Sequence, residues 1–278
     1  MHRRGPAFWL LTGFFALFVL FLYGPTITIT ILSFQGPSGG LTFPMRGVSL
    51  HWFGNLFEKQ MVGDFAGSFQ RSIVLGLVTM VVTVLVSFSA GLAFRKRFRG
   101  SSAVFYLAIA SLIVPSILIS LGIGLLFRVL GWDAAWFSSA FGAHLTWTLP
   151  FGLLIMFAVF NRFDRRYEEA ARDLGATSWQ TIRFVVVPIL LPSLIGVGLF
   201  GFTLSYDEFA RSLYTSGTFN TLPLEIYGMT TNVTTPVLYA LGTVTTGLSF
   251  LVIALALVST IIVRRRRERL GSDAGKAA

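Results

Sequence analysis

Six stretches of this sequence run for 20 residues or more without a Lys, Arg, Asp or Glu: 5–45, 72–94, 100–127, 134–161, 184–206 and 226–263. Each is long enough for the roughly 20 apolar residues that carry a helix across the hydrocarbon core of a bilayer. The runs are continuously apolar rather than alternating, which points to helices and not to the strands of a barrel. The pattern predicts six transmembrane helices at about 8–32, 71–94, 103–127, 138–160, 189–210 and 237–263 in an all-α, polytopic membrane protein. Composition agrees. Of the 278 residues 54% are hydrophobic and 12% charged, against about 25% charged in an ordinary soluble domain, and the mean hydropathy is +0.73. A soluble enzyme, a disordered tail protein and a coiled coil are excluded. The chain has no cysteine, so a disulfide scaffold, a thiolate metal site, an iron–sulfur centre and a cysteine nucleophile are excluded too.

The net charge of +10 reports topology rather than a nucleic-acid partner. Six crossings put both termini on one side. That side holds Arg3, Arg4, the cluster Arg95-Lys96-Arg97-Arg99, five arginines in 162–183 and six basic residues in 264–278, together 17 of the 22. The positive-inside rule makes that side, with both termini, cytoplasmic. Arg264–Arg267 then reads as a stop-transfer flank in a basic cytoplasmic tail, 264–278, and no nucleic acid is expected as a partner. Arg3 and Arg4 before an apolar run resemble a signal peptide. The run reaches Phe34 with no A-x-A site after it, which predicts an uncleaved first helix in a single domain spanning 1–278.

No segment between helices is large enough for a soluble domain. The exterior segment 33–70 begins as a Gly/Pro loop, and His51-Trp52-Phe53 suggests a short helix at the membrane surface. The exterior segment 212–236 is polar, with Pro223 and Pro236. The interior loop, about 161–188, reads as two short helices. Asp164 is placed to cap the first, with Glu168 and Glu169 near its positive end. Gly175 suits the left-handed residue that ends it. Thr177 and Gln180 have capping-box spacing for the second, and Pro188 marks entry to the fifth membrane helix. Small Ala170 and Ala171 let another surface approach closely, and Glu169, Arg172 and Asp173 are placed to fix its register; a solvated connector is the alternative.

Sites of chemistry are missing. There is no G-x-x-x-x-G-K-[ST], no H-E-x-x-H and no G-x-S-x-G, so no catalytic residue, metal or cofactor is expected. His2, His51 and His144 lie far apart in sequence, and His144, in the fourth membrane segment, is expected to be packed and hydrogen-bonded. Gly196, Gly198 and Gly201 form a G-x-G-x-x-G inside an apolar run, where close helix packing explains them better than a dinucleotide. The sequon Asn232-Val-Thr234 carries no weight. Asp207, Glu208 and Arg211 lie at the exterior end of the fifth helix. Ionisable groups there either line a pathway attractive to cations or neutralise one another at i,i+3 and i,i+4 spacing.

Glu169-Ala170-Ala171, three residues, then Gly175 resembles the E-A-A-x-x-x-G signature of bacterial ABC importer permeases, whose closing I-x-L-P stands here as Val185-Val186-Val187-Pro188. Phe202–Glu208, Leu222–Tyr227, His144–Pro150 and the run 171–176 are similar to the second permease subunit of spermidine/putrescine importers. The resemblance covers nearly the whole chain. It implies a type I importer architecture in the bacterial inner membrane, with this chain as half of a heterodimeric pore in contact with lipid. An ATP-binding-cassette ATPase would dock on Glu169, Ala170, Ala171 and Gly175. A second permease subunit would complete the pore, and an exterior substrate-binding protein would deliver the solute. It implies alternating access, with polyamines favoured by Asp207 and Glu208, and opines, phosphonates or thiamine as alternatives transported by relatives. An intramembrane enzyme would need a nucleophile–base pair, and a stand-alone secondary transporter commonly shows internal repeats; neither is apparent.

Overall fold

The computed structural model describes residues 5–57, 63–96, 98–232 and 235–274. Arg3, Arg4, Lys59, Arg97, Lys276 and the Val233-Thr234 part of the sequon lie outside them. The regular structure is helical: α1 Pro6–Leu32, α2 His51–Gly54, α3 Phe65–Phe94, α4 Ser101–Ala110, α5 Ser116–Val129, α6 Trp136–Asn161, α7 Arg166–Asp173, α8 Ser178–Tyr206, α9 Leu222–Asn232 and α10 Val237–Ala274. Among the described residues the only β pairing is an isolated bridge between Gln35 and Val48. Five helices are long and apolar enough to cross a membrane: α1, α3, α6, α8 and, over Val237–Leu255, α10. The chain forms two compact units, Met1–Ala66 with Ile226–Leu251, and Gly67–Glu225 with Val252–Ala278.

In the first unit Pro6 opens α1 at a position where its missing N–H costs nothing. Only Leu32 of α1 is buried, and Phe14 and Phe21 are 68% and 83% exposed. A helix apolar on every face finds its solvent in lipid. Two of its threonines bond back to the helix, Thr12 Oγ1 to Phe8 O and Thr30 Oγ1 to Thr26 O, which satisfies those hydroxyls without water. The loop after α1 folds around a buried Gln35, which donates to Gly40 O and accepts from Arg46 N. A short helix is present where one is expected at His51, as α2.

The second unit is built on α3, α6 and α8. Met156 and Phe160 of α6 form a buried cluster with Val186, Leu190, Leu194 and Val197 of α8, and Val84, Phe88 and Leu92 of α3 pack against it. Small residues bring the helices together, as membrane packing requires. Gly198 and Gly201 of α8 lie against Met80, Val84 and Thr83 of α3, so two glycines of the G-x-G-x-x-G run form a packing face, while a Cβ at Gly196 would meet nothing within 4 Å. Thr83 donates to Thr148 across the α3–α6 contact at 2.9 Å. Gly152 is the tightest point there: a Cβ would lie 2.2 Å from Ser87 Oγ and 3.0 Å from Thr83 Cγ2. Gly152→Val is expected to destabilise the protein by about 2 kcal/mol through overpacking. Thermal unfolding in detergent checks this, and an unchanged midpoint would refute it.

Five expectations are corrected. The continuous third helix at 103–127 is broken into α4 and α5, because Pro115 cannot supply the N–H that a through-going helix needs; it stands as N-cap of α5 with extended ψ of 131°. The fifth helix begins at Ser178, not 189, since the second short helix of the loop runs into it through a π-helical turn, Ile182–Val186. It ends at Tyr206, not 210, with Asp207 as C-cap. The segment 212–236 contains a helix, α9, and the last helix continues to Ala274 rather than ending at 263.

Candidate functional site

Two constellations in the second unit invite a functional reading. The first is the α7–α8 elbow. Asp164 Oδ1 accepts from Arg166 N at the start of α7, and Glu168 and Glu169 occupy its first turn, as expected. The helix ends in a Schellman motif: Gly175 N donates to Arg172 O at 2.8 Å and Ala176 N to Ala171 O at 3.0 Å, with Gly175 at φ +86°. One residue later the capping box closes, Gln180 N donating to Thr177 Oγ1 and Thr177 N to Gln180 Oε1. Two caps back to back leave little freedom at the joint. The elbow holds apolar side chains outward. Leu174 is 89% exposed and Trp179 is 66% exposed, and Ala170 is exposed beside Glu169.

Beneath the elbow Arg95, at the end of α3, is ion-paired with Glu168 of α7. The Arg95 guanidinium also lies 5.3 Å from the ring centroids of both Phe160 and Phe163 at the end of α6. Arg165 Nη2 donates to the Arg95 carbonyl. One arginine thus ties α7 to two membrane helices. A cleft of about 480 Å³ opens here, lined among others by Arg95, Lys96, Arg165, Glu168, Glu169 and Arg172.

The second constellation is the segment 207–221. It follows α8, yet Arg211, Ser212, Thr215, Ser216 and Thr221 are buried. Non-helical backbone beside membrane helices is stable only when its polar groups are satisfied by protein or by a water-filled cavity, and here protein does it. Tyr214 N donates to Ser120 Oγ of α5, Ser139 Oγ of α6 to Thr215 O, Arg71 Nε of α3 to Asn220 O, and Leu222 N to Ser72 Oγ. His144 is buried and hydrogen-bonded as expected, its Nδ1 2.7 Å from Ser205 Oγ and its Nε2 2.8 Å from Ser212 Oγ. A neutral imidazole protonated at Nε2 satisfies both: it donates to Ser212, whose own proton goes to Glu208 O, and accepts from Ser205. His144→Leu removes one hydrogen bond from each hydroxyl, leaving Ser212 its bond to Glu208 O and Ser205 its bond to Thr79 Oγ1, and a loss of about 1–3 kcal/mol is expected. Thermal unfolding of His144→Leu beside Ser212→Ala measures it; equal midpoints for wild type and His144→Leu would refute a fastening role for His144.

The acidic pair divides. Glu208 accepts from Arg211 N at 2.9 Å, and its Oε2 lies 3.5 Å from Arg211 Nη1. Arg211 is fully buried, donates to Ser116 Oγ at 2.6 Å and Thr146 Oγ1 at 3.3 Å, and sits 4.4 Å from the Trp147 ring centroid. Its Nη2 has no partner. Asp207 is exposed and pairs with no cation among the described residues, so the i,i+4 neutralisation is absent and the i,i+3 one is present. Partial burial nonetheless pushes the Asp207 carboxyl above the ordinary carboxylate range. Sequence reasoning missed the anchors Ser116, Ser120, Ser139, Thr146 and Trp147. The density of hydroxyls in 212–221, at Ser212, Thr215, Ser216, Thr218 and Thr221, was the available signal that this stretch needed partners.

Residues 83–270 match the family described as binding-protein-dependent transport system inner membrane component. The chain belongs to this family. It is 30% identical over 259 residues to the spermidine/putrescine transport system permease PotC of Haemophilus influenzae, covering 93% of this chain and 98% of that one. It is 29% identical over 241 residues to the putrescine transport system permease PotI of Escherichia coli K12, covering 82% of each. A bacterial ABC transporter involved in importing the acidic polysaccharide alginate has the same fold, with a TM-score of 0.63 at 18% identity over 97% of this chain and 99% of that chain. These relatives are transport components rather than enzymes, and this chain is likewise a membrane permease, all-α and carried by several apolar helices.

Proposed function

We propose that this chain, over 1–278, is one transmembrane domain of an ABC importer for polyamines, forming half of the translocation pathway. The observation that carries the docking role is the doubly capped α7–α8 elbow with Leu174 and Trp179 held out from it. On this reading a separate ATPase docks there, with Glu169, Ala170, Ala171 and Gly175 as its contact. A second permease subunit completes a heterodimer in lipid, and an exterior binding protein delivers the solute. The elbow, the tail 264–278 and both termini face the cytoplasm, following the basic residues. The chain carries no nucleotide-binding motif of its own.

ATP closure of the ATPase dimer draws the elbow with it, and helices move as near-rigid bodies between inward and outward states. The ligand shifts that equilibrium only through its different affinity for the two. Asp207, exposed and without a cation partner, is the first pathway candidate, with Glu208 behind it. Polyamines are favoured because two relatives named for spermidine and putrescine cover most of the chain, and because a free carboxylate attracts ammonium groups. The Arg211–Glu208 pair, which offsets half of the acidic charge, favours a second reading, another small solute in the same importer class.

The test is uptake of labelled spermidine and putrescine by a strain lacking other polyamine uptake, with and without this gene and with its native partners present. ATP-dependent uptake that vanishes with the gene, and falls at least tenfold in Asp207→Asn, is the expected result. Uptake indifferent to the gene would remove the polyamine assignment and direct the search to the ligand of the co-purifying binding protein.

A further inference from the structure

Arg211 is an unusual residue to find at this place. A guanidinium taken fully out of water is tolerated only when paired and hydrogen-bonded. It holds its position through three different elements, Ser116 of α5, Thr146 and Trp147 of α6, and Glu208 of its own segment. It lines no solvent-exposed surface, so it is not a group that a passing solute touches. What it does control is charge. With Glu208 compensated and Asp207 not, the 207–211 segment carries one net negative charge rather than two.

We propose that Arg211 sets the valence of the transported amine: by neutralising Glu208 from a buried, immobilised position, it leaves Asp207 as the single uncompensated carboxylate and favours diamines over triamines. This deepens the polyamine reading and rests on it. The physical basis is that each added ammonium on the ligand senses the net charge of the segment. Where solvent is partly excluded, one unit of that charge several ångströms away changes the relative preference for a further ligand charge by about tenfold. Arg211 is therefore a specificity-determining residue that acts through Glu208 and the local field.

The experiment compares spermidine with putrescine uptake as a ratio of Vmax/KM values in the assembled transporter. The same binding protein is used throughout, so that its own preference cancels between variants. Arg211→Gln is expected to raise the spermidine-to-putrescine ratio about tenfold, Arg211→Lys to keep it, and Asp207→Asn to lower it. The double variant Arg211→Gln/Glu208→Gln removes the pair without changing net charge, and is expected to keep the wild-type ratio. If Arg211→Gln alone fails to assemble, Glu208→Gln carries the test: with Arg211 still charged the segment becomes neutral, and the ratio is expected to fall about tenfold below that of the double variant. A general loss of rate with the ratio within twofold of wild type in every assembling variant would reduce Arg211 to a structural residue and overturn the proposal. A shift in the double variant as large as in Arg211→Gln would also overturn it, because charge would not be the cause. Uptake of neither amine by the wild type would instead refute the polyamine reading, and this inference with it.

Discussion

Gly175→Val is expected to abolish uptake while leaving the chain inserted in the membrane. The reason is torsional. No atom lies within 4 Å of where a Cβ would sit, so crowding plays no part. The residue holds φ at +86°, a region that costs a β-branched side chain about 1–3 kcal/mol. Escape from that conformation breaks the Gly175–Arg172 and Ala176–Ala171 bonds and swings α7 relative to α8. Under the proposed docking role, the exposed Leu174 then no longer meets the ATPase in register. Gly175→Asn, which tolerates the left-handed region, should retain most activity, with Gly175→Ala between the two. The measurement pairs uptake with co-purification of the ATPase. Full uptake and full assembly in Gly175→Val would remove the elbow from the coupling path.

The second large effect is expected at Arg95. Arg95→Glu faces Glu168 with a second carboxylate and removes the cation from the Phe160 and Phe163 rings. The pair is mostly shielded, with side-chain exposures of 12% and 14%. Uptake should drop more than tenfold, and the exchanged pair Arg95→Glu/Glu168→Arg should recover part of it. A double-mutant cycle on the thermal stability of the purified complex should give a coupling energy of about 2 kcal/mol. Partial recovery is the expectation because the exchange restores the ion pair but not the stacking of the guanidinium on two rings. Additive single effects would show that α7 is not tied to α3 through this contact.

Much of this was legible in the sequence, for identifiable reasons. Charge-free length gives membrane helices because hydrocarbon punishes ionised groups, and α1, α3 and α6 appear close to where that rule puts them. Caps are local, so Asp164, Gly175 and the Thr177–Gln180 box were readable from spacing alone. The third helix was misjudged because hydropathy is blind to a missing N–H: Pro115 sits in an apolar run that no charge interrupts. The reach of α8 back to Ser178 was hidden by the polarity of its first turn, which suggests a loop although the backbone stays helical. Least legible was the burial of 207–221. Its partners Ser72, Ser116, Ser120, Ser139 and His144 are scattered over three helices, and no periodicity links them to the residues that they hold. The same non-locality left Arg211 readable as one half of a local helical ion pair with either acid, when it pairs with Glu208.

The uninterrupted run from Ser178 to Tyr206 has a mechanical consequence. At 1.5 Å per residue its 29 residues form a rod about 43 Å long. One end is seated in the elbow and the other carries Asp207. A rod of that length turns a tilt of about 10° into a relative displacement of about 7 Å between its ends. Force applied at Thr177 is thus delivered at Tyr206 as geometry, and the π-helical turn at 182–186 and the interior Pro192 are places along the shaft where it has room to give.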